Sequence, residues 1–134
     1  MMIDASALVA ILLREPDAAE LVMAIADAKA PFTSPIAVYE TICALMRVNA
    51  WGAPEAEAAV REFLDAGSIR VCATTDGMIS TAAMAFDRFG KGRHPAQLNL
   101  GNCFAYACAK TYRAPLLHKG DDFPRTDLEL VHKG

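Results

Sequence analysis

Asp4, Glu40, Asn102, Asp121 and Asp122 are the side chains of this 134-residue chain whose oxygens suggest chemistry. A hard divalent cation takes oxygen ligands, and Mg²⁺ typically takes one or two carboxylates while keeping several waters. Such a cation activates a water and neutralises charge on a phosphate undergoing transfer. Each acid also has a plainer use. Asp4 suits the N-terminal cap of the apolar helix that follows it, and Glu40 suits a solvated helix position. Asp121 and Asp122 follow Gly120 and suit the corner of a turn. Spacing alone leaves both uses open, because the acids are scattered from one end of the chain to the other. A metal site requires a fold that gathers them.

The elements that would do so alternate between strand and helix. Met1–Asp4 is a short apolar run ending in an acid, as in a buried strand whose carboxyl end reaches the surface. Ser6 can cap the apolar helix Ala7–Leu13, and Pro16 opens a second helix in which Ala18, Leu21, Val22 and Ile25 recur with helical period to Asp27. Pro31–Ser34 reads as the second strand. Ser34 caps and Pro35 opens a helix to about Asn49, with Ile36, Tyr39, Cys43 and Met46 on one face and Glu40 beside them. After the break at Trp51–Pro54 another helix runs to Ala66 and ends at Gly67. Ser68–Cys72 is the third strand, and Thr74 or Thr75 caps a helix to about Phe89 with Ile79, Ala82, Ala83 and Phe86 at helical spacing. Gly90–Pro95 is a loop, and Asn99 caps a helix from Leu100 to Thr111 that turns Phe104, Ala107 and Cys108 inward. Pro115–His118 is the fourth strand, and Leu128–Val131 the fifth.

This order predicts one α/β domain over residues 1–134, with a parallel five-stranded sheet flanked by helices. In such sheets ligands bind outside the carboxyl ends of the strands. Asp4 and Asp122 follow strand ends directly. Glu40 and Asn102 lie in early turns of helices that leave loops at the same edge.

Composition narrows the class. Apolar residues make up 54% of the chain, which excludes disorder. Wholly apolar runs are no longer than the seven residues of Ala7–Leu13, too short to span a membrane, and the N-terminus has no basic leader. A cytoplasmic location is the expectation. Cys43, Cys72, Cys103 and Cys108 form no CxxC pair and no zinc-like spacing with His94, His118 or His132, so they read as free thiols in apolar surroundings. The net charge of −3 is uneven. Residues 86–119 hold six basic side chains (Arg88, Lys91, Arg93, Lys110, Arg113 and Lys119) against the single acid Asp87. Such a segment is either a solvated face or a surface for a polyanion.

Four stretches together resemble a known family. Met2-Ile3-Asp4-Ala5-Ser6-Ala7 resembles the opening of PIN-domain ribonucleases, where an Asp ends the first strand and a Ser or Thr follows two residues on. Val38-Tyr39-Glu40-Thr41-Ile42 is similar to their second motif. Leu98–Ala107 is similar to the third, and Leu116–Phe123, with Gly120-Asp121-Asp122-Phe123, to the fourth. The likeness runs from Met2 to Val131 and, with the small size, points to the VapC-type toxins of bacterial toxin–antitoxin pairs.

The resemblance implies a metal-dependent endoribonuclease that cleaves structured RNA such as tRNA or rRNA. Asp4, Glu40 and Asp122, with position 102, would hold Mg²⁺ or Mn²⁺, and Asp121 is a weaker candidate beside Asp122. It also implies a VapB-type antitoxin that wraps the toxin and inserts a basic residue near the acids, and a homodimer. Ser6 and Thr126 could orient waters or carboxylates, or serve as a helix cap and a turn residue. The basic set would track the RNA backbone. The chain departs from the family pattern at Asn102, where such toxins carry Asp. Asn keeps a carbonyl oxygen and a similar size but loses the charge, so weakened or abolished activity is an expectation. The alternative is a catalytically silent binding module that acts through its antitoxin. A nucleotide-binding α/β domain is a third option, and the chain has no glycine-rich phosphate loop to support it.

Overall fold

A computed structural model describes residues 1–131; His132 lies outside them. Four short strands, β1 (Met2–Ile3), β2 (Phe32–Thr33), β3 (Arg70–Val71) and β4 (Leu116–Leu117), form one parallel sheet in the order β3-β2-β1-β4. Met2 pairs with Phe32 on one side and with Leu116 on the other, and Thr33 pairs with Val71. Side chains alternate across a pleated sheet, and here the two faces carry two cores. Met2, Phe32 and Leu116 join the layer of helices α5 (Gly77–Phe89) and α6 (Leu100–Thr111). Ile3 and Leu117 join the opposite layer of α1 (Ala5–Leu12), α2 (Ala18–Asp27) and α4 (Ala53–Ala66). Helix α3 (Pro35–Asn49) serves both, with Ala37 in the first core and Val38 and Leu45 in the second.

The fifth strand expected at Leu128–Val131 is reduced to a single bridge, Leu116 with Leu130. Leu116 N–H donates to Glu129 O and Val131 N–H donates to Leu116 O, both at 2.9 Å. The preceding residues turn elsewhere. Leu128 N–H donates to Thr126 Oγ1, and the Asp127 carboxylate is held by Tyr106 and Lys110 on α6. The segment therefore meets the sheet edge only at its end.

Helix starts follow side-chain chemistry where a cap is available. Ser34 Oγ accepts from Ala37 N–H, with Pro35 opening α3 as expected. Helix α1 begins earlier than expected, at Ala5, because Asp4 rather than Ser6 is its cap. Helix α5 starts at Gly77 after Asp76, without a side-chain cap from Thr74 or Thr75. The buried faces also differ from the sequence reading. In α3 they are Ala37, Val38, Thr41, Ala44 and Leu45, while Tyr39 is exposed. In α5 they are Met78, Ala82, Ala85 and Phe89, while Ile79 and Phe86 are exposed. Small residues on these faces let the helix backbones approach closely, which leaves the larger apolar side chains at the rim.

Candidate active site

Because the sheet is parallel, the carboxyl ends of β1, β2 and β4 open on one edge, and Asp4, Ser34 and His118 follow them directly. Asp4 is the most enclosed acid, 3% exposed. Its backbone N–H donates to Leu117 O at 2.9 Å, which fixes it between β1 and β4. Its Oδ2 accepts from Ser6 N–H at 3.0 Å and from Ser6 Oγ at 2.5 Å. Ser6 Oγ in turn accepts from Lys119 N–H at 3.0 Å, so the loop after β4 is tied to the same carboxylate. Burial pushes the Asp4 carboxyl above its ordinary range, and the Ser6 hydrogen bonds and the neighbouring His118 draw it back.

Glu40 reaches this acid from α3. Its carboxyl is pushed up to about 6, by burial first and by the Asp4 charge second. The half-buried Glu40 carboxylate thus lies within the field of the buried Asp4. The space for Glu40 is made by Gly101 in the first turn of α6: a Cβ there would overlap the Glu40 carboxylate. Asn102 follows immediately, and its side chain is occupied locally. Asn102 N–H donates to Asn99 Oδ1 at 2.9 Å, and Asn99 N–H donates to Asn102 Oδ1 at 3.2 Å. This reciprocal capping box satisfies two donors at the helix end. The carbonyl that would serve as a ligand is the oxygen that completes the cap.

Asp122 is placed differently. It stands exposed at the start of a 3₁₀ turn, Phe123–Arg125. Asp121 is exposed beside it. Phe123 is buried and packs edge-on against His118, ring centroids 5.7 Å apart, which anchors the turn below the site edge. Thr126 Oγ1 donates to Phe123 O and accepts from Leu128 N–H, the bonds of a turn residue.

Asp4 and Glu40 suit a hard divalent cation by donor chemistry, since both offer oxygen and their mutual repulsion falls when a cation sits between them. Among the described residues no three His, Cys, Asp or Glu side chains gather closely enough to form a closed metal cage. A pair of carboxylates matches the needs of Mg²⁺, which retains much of its water.

Most of the basic segment is already engaged within the chain. Arg88 and Lys110 reach Asp127 at 3.6 and 3.3 Å, Arg93 reaches Asp87 at 3.2 Å, and Lys119 bonds to Glu15 and lies 3.3 Å from Asp17. Lys91 and Arg113 form no ion pair among the described residues. Gly101, His118 and the acids Glu15 and Asp17 were not singled out by the sequence. Gly101 had a signal: a glycine inside the first turn of an otherwise alanine-rich helix implies a close approach.

The chain is similar to known proteins along nearly all its length. The sequence profile of the PIN domain matches residues 1–129. Ribonuclease VapC of Mycolicibacterium smegmatis is 42% identical over 132 residues, covering 98% of this chain and 100% of that protein. Ribonuclease VapC36 of Mycobacterium tuberculosis is 38% identical over 131 residues, covering 97% and 92%. The crystal structure of Mycobacterium tuberculosis VapC20, a sarcin–ricin loop cleaving toxin, superposes with a TM-score of 0.77 over 97% of each chain at 16% identity. A four-motif sequence, a parallel sheet with paired acids at its carboxyl edge and these full-length similarities lead to one assignment: the chain belongs to the PIN-domain family, among the VapC ribonucleases.

Proposed function

We propose that residues 1–134 act as one PIN domain, the endoribonuclease toxin of a type II toxin–antitoxin pair, dependent on Mg²⁺ or Mn²⁺. The observation that carries this reading is the placement of two acids from distant parts of the chain: Asp4 buried at the end of β1, and Glu40 on α3 with its carboxylate over Gly101 at the start of α6. A divalent cation between the two carboxylates would offset their repulsion further than His118 and Ser6 do at Asp4 alone. Asp4 and Glu40 would hold the cation, with Asp122 and Asn102 contributing from the fourth motif and the first turn of α6. When bound, the cation supplies Lewis acidity for attack of water on an RNA phosphodiester. The chain's own part is orientation. Ser6 fixes one oxygen of Asp4, Gly101 leaves room for Glu40, and the Asn99–Asn102 box holds the start of α6 beside them.

The substrate would be a structured RNA such as tRNA or rRNA, with Lys91 and Arg113 the basic residues most available to its backbone. The partner would be a VapB-type antitoxin that offers a basic residue to the acids, and the location the cytoplasm. No helix among the described residues is long and apolar enough to cross a membrane. A homodimer would cover the apolar groove of about 380 Å³ between α5 and α6, where Ile79, Phe86 and Leu100 are exposed.

A second reading has its own support. Asn102 Oδ1 accepts from the Asn99 N–H, and an amide carbonyl is a weaker partner for a hard cation than a carboxylate. A silent module that acts through its antitoxin follows if this loss is decisive. Paired calorimetry with Mn²⁺ and RNA-cleavage assays on the natural chain and on Asn102→Asp test both. The enzyme reading expects metal-dependent cleavage, stronger metal binding in Asn102→Asp and at least about tenfold faster cleavage, on the scale by which ligand-shell groups act. Cleavage by Asn102→Asp alone supports the silent module. Cleavage by neither protein overturns the endoribonuclease reading.

A further inference from the structure

Lys119 belongs to the basic segment that the sequence offers to RNA, yet its ammonium faces away from that use. It bonds to Glu15 and lies 3.3 Å from Asp17 Oδ1, an oxygen wholly buried. Both acids come from the turn between α1 and α2, more than a hundred residues earlier in the chain. Asp17 occupies the N-cap of α2, where an Asp side chain ordinarily accepts from the helix backbone. It makes no such bond. The turn that presents the two acids is set by the end of α1: Arg14 at φ 56° closes the helix, with Glu15 N–H donating to Ala10 O at 2.9 Å and Arg14 N–H to Ile11 O at 3.1 Å. A hydrogen-bonded helix end fixes Glu15, and a helix start without its side-chain cap leaves the Asp17 carboxylate directed to Lys119.

The other end of Lys119 leads to the site. Its backbone N–H donates to Ser6 Oγ at 3.0 Å, and Ser6 Oγ donates to Asp4 Oδ2 at 2.5 Å. Since Ser6 accepts from Lys119, its own proton is left to point at Asp4. The next residue, Gly120, turns at φ 103° into the segment that carries Asp122. A loop leaving a two-residue strand has few backbone bonds to hold it and opens easily. We infer that Lys119 is a positioning residue for the Asp4 carboxylate, its ammonium clamped by Glu15 and Asp17 so that its backbone N–H pins the Ser6 hydroxyl and the start of the Asp122 loop. This rests on the endoribonuclease reading of the same site. It removes Lys119 from the residues that touch RNA.

The experiment compares Lys119→Met, Lys119→Arg and the double variant Glu15→Gln with Asp17→Asn, each in the natural chain and in the Asn102→Asp chain. Amide hydrogen exchange at Lys119 is followed together with Mn²⁺ affinity and with kcat and KM for RNA cleavage. The clamp expects Lys119 amide exchange at least about tenfold faster in Lys119→Met and in the double variant, with sheet amides such as Asp4 unchanged. It expects kcat and Mn²⁺ affinity to fall about threefold to tenfold at constant KM, the lower part of the range for groups that orient ligands. Lys119→Arg should restore much of each. The double variant separates the roles, because it leaves the Lys119 charge in place and frees it. A raised KM in Lys119→Met with kcat and exchange unchanged overturns the inference and makes Lys119 an RNA-binding residue. Unchanged amide exchange in the double variant also overturns it. Should neither parent chain, with Asn102 or with Asn102→Asp, cleave RNA, the endoribonuclease reading fails while the exchange rates still decide the clamp.

Discussion

Two acid-bearing regions meet the same sheet edge under opposite conditions of solvation. Asp4 and Glu40 are tied into the protein, one by β1, β4 and Ser6, the other by α3 and the space over Gly101. Asp121 and Asp122 are exposed on a turn that Phe123 anchors against His118 and Thr126 closes by bonding to Phe123 O. Burial raises the carboxyls of the first region above their ordinary range, while those of the second are exposed. On the function proposed above, Asp4 and Glu40 would hold the cation and the exposed turn would offer a further oxygen.

The sharpest way to break this comparison is to neutralise one acid from each region. Asp4→Asn should lower RNA cleavage by at least about 100-fold, the upper end of the range for ligand-shell losses. Its melting temperature should hold, because Asn caps a helix as well as Asp does. Asp122→Asn should cost about tenfold on the same scale. Equal losses would remove the distinction. Next in size, Gly101→Ala places a methyl on the Glu40 carboxylate and should reduce cleavage about tenfold or more, although alanine favours a helix by about 1 kcal/mol over glycine. Activity assays with thermal denaturation separate the two effects.

A smaller effect concerns pH. Glu40 loses its proton near 4.5 when unfolded and near 6 in the folded chain, so the folded state takes up the proton first as pH falls. Stability in the absence of metal should therefore rise as pH falls from about 7 through 6 toward 4.5, and Asp4, also raised, acts in the same sense. Melting curves across this range check the sign, and Glu40→Gln should flatten them. The smallest effect is expected on the basic face. Lys91→Ala with Arg113→Ala should reduce the salt slope of RNA binding by about 0.7 for each phosphate no longer neutralised. Arg93→Ala should change it less, since Arg93 is paired with Asp87. An equal change at all three would show that the internal ion pairs open on binding.

The sequence carried the local chemistry well. Ser34-Pro35 announced a helix start and Asn99 a cap, because each of these depends on residues within one turn of helix. The alternation of short apolar runs with helices was enough for a parallel α/β sheet, since two-residue strands buried on both faces need apolar side chains on both. The helix faces were less legible. Ile79 and Phe86 have the period of a core stripe, but Met78, Ala82, Ala85 and Phe89 form it, because periodicity locates a stripe only to within about one residue when small and large apolar residues mix. Leu128–Val131 has the composition of a strand and forms one bridge, because its neighbours are held by Thr126 and by α6.

The caps of α3 and α6 and the four ordered motifs were determined by the sequence alone, because they rest on interactions between near neighbours or on likeness to a family. The tertiary structure decided which charges meet. It placed Glu40 against Asp4 and Gly101, set Asp122 apart in solvent, and turned Lys119 from the RNA-facing set toward Glu15 and Asp17. Solvation and pairing of a charge depend on atoms brought from distant parts of the chain, and no spacing along the sequence records how much water each carboxylate keeps.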